Sequence, residues 1–212
     1  MRVTIHQPDL LPYSGFWFKM ATSDRFVVAV HDQFQKHGYQ RRVTMRERWC
    51  SHRLVGKPSL VPINQVEVAE GWQQHLVDVI RGRYTGARHW STRGAELVEG
   101  ILACEGRYLD EVNLSMIRLV RDLLGITTEL VTTTPPRERS VDRLIEQVTA
   151  AEGTEYLTGA GAASYFGDDA EERFAQAGIK LSWSTHHAVT GDSVVSILMD
   201  HDDPMDLVLR EG

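Results

Sequence analysis

The chain has 212 residues, 42% of them hydrophobic and 25% charged, which suits one globular domain with a sizeable core. Its net charge of −6 argues against a general nucleic-acid binder, and no apolar run approaches the length of a membrane span. Cys50 and Cys104 lie too far apart for metal-ligand spacing or a disulfide framework, and no apolar leader opens the chain, so a cytoplasmic protein is expected. The charge is uneven. Residues 1–60 carry ten Lys and Arg against four Asp and Glu, and residues 61–212 carry thirteen against twenty-five. A basic, histidine-rich segment on an acidic body points to an anionic ligand at that end.

Val3–Ile5 and Phe26–Val30 are short, apolar and β-branched, the pattern of buried parallel strands. Between them Ser14 is placed to cap a helix running to about Ala21. Residues 31–48 read as a basic surface loop. Ser51–Val55 and Leu60–Pro62 read as a hairpin around Gly56-Lys57-Pro58. Three helices follow, over Gln74–Tyr84, Ala95–Cys104 and Leu109–Leu124. The last has Val112, Met116, Leu119, Val120 and Leu123 at helical spacing and Gly125 at its stop. Glu129–Thr133 is a strand, and Ser140 caps a helix over Val141–Ala151. Tyr156–Thr158 is a strand leading into Gly159-Ala160-Gly161. Ile179–Trp183 is another, and Ser193 to about Met199 is a last short helix. This alternation predicts a single α/β domain, layered around a mostly parallel sheet, with a helical cap or insertion at about 72–124.

Three clusters carry candidate chemistry. The first, His6, Gln7, Asp9 and Lys19, follows the first strand, where open α/β sheets bind ligands. Histidine suits proton transfer near neutral pH. The second, His31-Asp32-Gln33-Phe34 through Gln40-Arg41-Arg42, follows the neighbouring strand. Arg42 offers a fork for a carboxylate or phosphate, and adjacent Arg41 points to the opposite face. The third is Gly159 and Gly161 with Tyr165, where a backbone can approach a ligand closely. It is not a dinucleotide fingerprint, because position 164 is Ser. His186-His187 lack a third ligand at metal spacing. Cys50 has Arg48, His52 and Arg53 nearby in sequence, which would lower its pKa if they converged.

Together these segments resemble the WbqC-like protein family. The resemblance rests on Ile5-His6-Gln7-Pro8, Leu11-Pro12 with Gly15-Phe16, Lys19, Ser23-Asp24 and Phe26-Val27. Further along it rests on Gln33-Phe34, Gln40, Arg42, Tyr156-Leu157-Thr158-Gly159 with Gly161, Tyr165, and Ser196-Ile197-Leu198. The chain departs from the family at Val30-His31, where an acidic pair is usual, and at Arg41, where Asn is usual. The resemblance implies a part in O-antigen or other natural-product biosynthesis, with glycyl or aminoacyl transfer as the suggested chemistry. The expected enzyme moves an acyl or aminoacyl group onto an amine or hydroxyl of a small specialised molecule, from a donor held on a carrier protein or tRNA. Its catalytic residues are expected to be His6 as base and Asp32. Gln7, Asp9, Lys19, Gln33, Gln40, Arg42, Gly159, Gly161 and Tyr165 would bind substrate, with no cofactor and no metal. The opening is also similar in outline to nucleotidyl transferases, although His6 and Gly15 are too far apart for their motif. A nucleotidyl transferase and a non-catalytic binder of a sugar nucleotide or carrier-bound intermediate are the competing readings.

Overall fold

The computed structural model describes residues 1–159, 161 and 166–212. It is a layered α/β fold. Five strands form one sheet: β1 (Arg2–His6), β2 (Arg25–Val28), β5 (Glu129–Thr132), β6 (Glu155–Thr158) and β7 (Lys180–Trp183). Their order is β5-β2-β1-β6-β7, and every pairing is parallel. Thr4 lies opposite Phe26 and His6 opposite Val28.

Side-chain alternation along the strands divides the core in two. Phe26 and Val28 face Phe16, Trp17 and Met20 of α1 (Ser14–Ala21). The same apolar cluster takes in α2 (Trp72–Tyr84), α3 (Ala95–Ala103), α4 (Leu109–Leu123) and α7 (Val194–Asp200). On the other face Val3, Ile5, Val27 and Ala29 pack against Val141, Leu144 and Val148 of α5 (Ser140–Ala150) and Phe174 of α6 (Ala170–Gln176). The buried positions of α4 recur every three or four residues, Val112, Met116, Ile117 and Val120, as an amphipathic helix requires. Gly125 follows in the left-handed region, φ 68°, and stops it. Residues 72–124 lie in the crossover from β2 to β5, and their helices share the core of the α1 face.

Several local expectations are corrected. The hairpin is β3 (Arg42–Met45) with β4 (Arg48–Ser51), inside the segment read as a loop. The segments around Gly56-Lys57-Pro58 do not pair with each other. Leu54 bridges to Val68, and Pro62 bridges to Gln33. Ser14 does not cap α1, because its hydroxyl bonds His186 Nε2 at 2.8 Å. Ser140 is the first residue of α5 and gives no side-chain cap. Ser193 does cap α7, accepting from the Val195 N–H. Helix α6, a π-type turn at Trp90–Gly94 and α8 (Pro204–Val208) had no clear sequence signal.

Candidate functional site

In chain order the sheet strands run 3-2-1-4-5, so the connections diverge between β1 and β6. Open α/β sheets bind ligands at such a divergence, beyond the carboxyl ends of the strands. A cavity of about 460 Å³ lies there, lined by His6 and Gln7 from β1 and its loop, Lys19 from α1, Asp32 after β2, Arg143 from α5, and Thr158, Gly159 and Gly161 after β6.

The ring of His6 sits edge-on to Phe16, with centroids 4.9 Å apart. Its Nδ1 faces two acceptors, the Gln7 carbonyl at 3.1 Å and Asp9 Oδ2 at 3.5 Å. That placement assigns the proton to Nδ1 and leaves the Nε2 lone pair without a partner among the described residues. Burial, and then the positive charge of Lys19, lowers the His6 pKa to about 3, so the ring is neutral across the physiological range. Burial raises Asp9 to about 7 against the opposing pull of Lys19. Burial also lowers Lys19 to about 8, opposed by Asp9. Lys19 is 8% exposed and makes no hydrogen bond or ion pair among the described residues. A Cβ built on Gly159 would lie 3.8 Å from its Nζ, so the missing side chain leaves space directly beside the ammonium.

A polar chain forms the adjoining wall. Arg143 Nη1 donates to Asp32 Oδ1 at 2.6 Å, and Gln7 Nε2 donates to Asp32 Oδ2 at 2.9 Å. Gln40 Nε2 donates to Gln7 Oε1, and the Gln35 N–H donates to Gln40 Oε1 at 2.9 Å. Each amide is thereby fixed in orientation. Behind this wall, fully buried Asn113 of α4 donates to the carbonyls of Pro8 at 2.7 Å and Gln40 at 2.8 Å. With both its N–H bonds used, Asn113 Oδ1 accepts from His52 Nε2 at 3.1 Å. His52 is neutral, because burial lowers it to about 4. One helix residue therefore ties the loop after β1 to the loop before β3. Ser193 adds a second tie, its hydroxyl donating to the carbonyl of Leu11, a buried residue held at φ 39°.

The structure thus brings His6, Gln7, Lys19, Asp32, Gly159 and Gly161 to one cavity. Asp9 stands behind His6, and Gln40 stands behind Gln7, fully buried. It does not bring Arg42 or Gln33 there. Arg42 lies on the outer face of the hairpin, its guanidinium 4.1 Å from the Trp49 ring. Gln33 lines a separate groove with Lys36, Arg41 and Lys57. Tyr165 falls outside the described residues. The arginine at the cavity is Arg143, and sequence reading missed it together with Asn113. Arg143 carries no local signal, whereas Asn113 was visible as a polar residue between core positions Val112 and Met116.

Cys50 points into the core from the hairpin's inner face. Burial raises its pKa, and the cation beside it is Arg83 rather than Arg48, His52 or Arg53. His186 is held by Ser14, by the Arg210 carbonyl and by stacking on Phe18. Among the described residues no three His, Cys, Asp or Glu side chains converge as metal ligands, and no helix is long and apolar enough to cross a membrane. Residues 7–190 of the chain match the model of a protein family, and no curated protein or solved structure matches.

Proposed function

We propose a reaction for this cavity from the premise that the chain belongs to the WbqC-like protein family, whose match covers residues 7–190. The reaction is transfer of an acyl or aminoacyl group onto an amine or hydroxyl of a small molecule. The observation that carries it is a neutral imidazole whose Nε2 has no partner among the described residues, in the same cavity as Lys19, which makes no hydrogen bond or ion pair among those residues. Nε2 takes the proton of the nucleophile as the new bond forms to the acyl carbonyl carbon. The tetrahedral intermediate then expels the donor's leaving group with its electron pair, and the imidazolium returns the proton to that group.

A base held at about 3 is weak on its own. A carboxylate or phosphate docked beside Lys19 cancels one of the two causes of that depression. Anion binding and proton transfer are therefore coupled, and the reaction runs on a substrate that carries a negative charge near the acyl group. The Arg143–Asp32–Gln7 chain holds the wall against which the acceptor is oriented.

The test is thiol release from an N-acetylcysteamine thioester of aspartic acid, whose free carboxylate supplies the negative charge near the acyl group, with hydroxylamine as acceptor and the uncatalysed rate subtracted. His6→Ala is expected to lower turnover by roughly 10²–10⁴, the worth of a general acid–base group, with far-UV dichroism unchanged. Equal turnover by the two proteins would leave the second reading, a binding protein. The depressed His6 favours that reading, because such a ring serves well as a simple hydrogen-bond acceptor.

A further inference from the structure

The cavity mouth continues onto an aromatic rim. Tyr13 lines the cavity and is 41% exposed. The Leu10 N–H, three residues earlier, donates to the Tyr39 carbonyl at 2.9 Å, which brings Tyr39 beside this loop. Tyr39 is 58% exposed and its ring centre is 6.4 Å from that of Trp49, itself 49% exposed. Trp49 stands on the outer face of the hairpin opposite Thr44, while Val43, Met45 and Cys50 on the inner face join the core. Arg42, on the same outer face, lies over the Trp49 ring. Its Nε donates to the His37 carbonyl, and its terminal nitrogens have neither a hydrogen bond nor an acidic partner among the described residues. Three exposed aromatics and a guanidinium whose terminal nitrogens have no partner among the described residues form a surface with flat apolar faces for a ring and donors for an anion. Tyr13 titrates above its ordinary value through burial, then the nearness of Asp9 and Tyr39, which agrees with the continuity of rim and cavity.

We propose that this rim binds the nucleobase and phosphates of a small nucleotide-bearing acyl donor, the base stacking on Trp49 and Tyr39 and the phosphates meeting Arg42, with the acyl end directed past Tyr13 toward His6. It rests on the acyl-transfer reading and names its donor class. Nucleobases stack on aromatic side chains and arginine planes whatever their sequence, because every base has a π-face. A small nucleotide fits better than a long polyanion. The positive segment is confined to residues 1–60, and the remaining 152 residues carry thirteen Lys and Arg against twenty-five Asp and Glu, which repel an extended phosphate backbone.

The test is calorimetric titration of the full chain with AMP, with coenzyme A and with a single-stranded RNA 12-mer. No turnover is needed, so the result is independent of the His6 assay. AMP or coenzyme A is expected to bind, and the tighter of the two assigns an adenylate or a thioester donor. Trp49→Ala should weaken that binding on the order of 5- to 150-fold, the worth of one stacked base, and Trp49→Phe should largely restore it. Arg42→Ala should weaken it and flatten its salt dependence. Failure of both small nucleotides to bind, equal affinity in wild type and Trp49→Ala, or tighter binding of the RNA than of either nucleotide would each overturn the proposal.

Discussion

Asn113→Ala is expected to be among the most damaging single changes in the molecule. The residue is fully buried and makes three hydrogen bonds, two donated to the Pro8 and Gln40 carbonyls and one accepted from His52. Truncation strands all three partners. A buried polar group left unpaired costs ~1–3 kcal/mol, and local relaxation recovers part of that, so the net loss is about 3–5 kcal/mol. A domain of this kind has a total of about 5–15 kcal/mol. In a chain of this length each kcal/mol lowers Tm by roughly 2–4 °C, which puts the shift at about 6–20 °C. Asn113→Asp should fare no better, because a carboxylate oxygen would then face two carbonyls. Urea unfolding followed by far-UV dichroism measures the effect. The midpoint should fall while the slope with denaturant is unchanged. A loss below about 1 kcal/mol at constant slope would refute the reasoning and show that the two loops are held by something other than this amide.

Lys19→Met should make the protein more stable and less able to bind an anion in the cavity. The folded pKa is about 8 against an ordinary 10.5, so the cost of burying the charge is fully present below pH 8. Between pH 8 and 10.5 the unfolded chain holds more protons, and stability rises with pH. The advantage of the Met variant in chemical denaturation should therefore be largest at pH 7 and shrink as pH rises through that window; a constant advantage would mean that the folded and unfolded chains hold the Lys19 proton equally, with its pKa unshifted by burial. Gly159→Val should abolish ligand binding with little change in Tm, because among the described residues its Cβ meets only Lys19 Nζ, at an ordinary 3.8 Å, and the rest of the side chain projects into the cavity. A large drop in Tm would instead make Gly159 a backbone requirement.

The sheet was readable because its strands are short apolar runs and the connecting helices keep a 3.6-residue period. Val3–Ile5, Phe26–Val28 and the face of α4 follow directly from that pattern. The hairpin was not readable. Its turn places Arg46 and Glu47 at φ 52° and 61°, conformations that Asn-Gly or Asp-Gly normally advertise, so no turn signal was present. Gly56-Lys57-Pro58 carried the signal without the pairing. In the cavity, His6, Gln7 and Asp32 were legible because each follows a strand end. Arg143 was not, since its partner Asp32 lies 111 residues away and only the packing of α5 on the sheet brings them together. Arg41 bonds the His52 carbonyl and Arg42 lies over Trp49, so neither lines the cavity.

The parallel pairing of β1 with β6 also dictates when the cavity can exist. Val3 lies opposite Tyr156, so the two walls of the cavity are made more than 150 residues apart during synthesis. Until the second is made the Val3–Ile5 edge has no partner on that side, and His6 and Lys19 face water. Strands β1, β2 and β5 can assemble once Thr132 is available. The pairing of β6 with β1 is the least local in the sheet, Val3 lying opposite Tyr156, and such non-local contacts form slowly. The cavity is therefore a late product of folding, and the interval before β6 arrives is when the free side of β1 is most open to wrong partners.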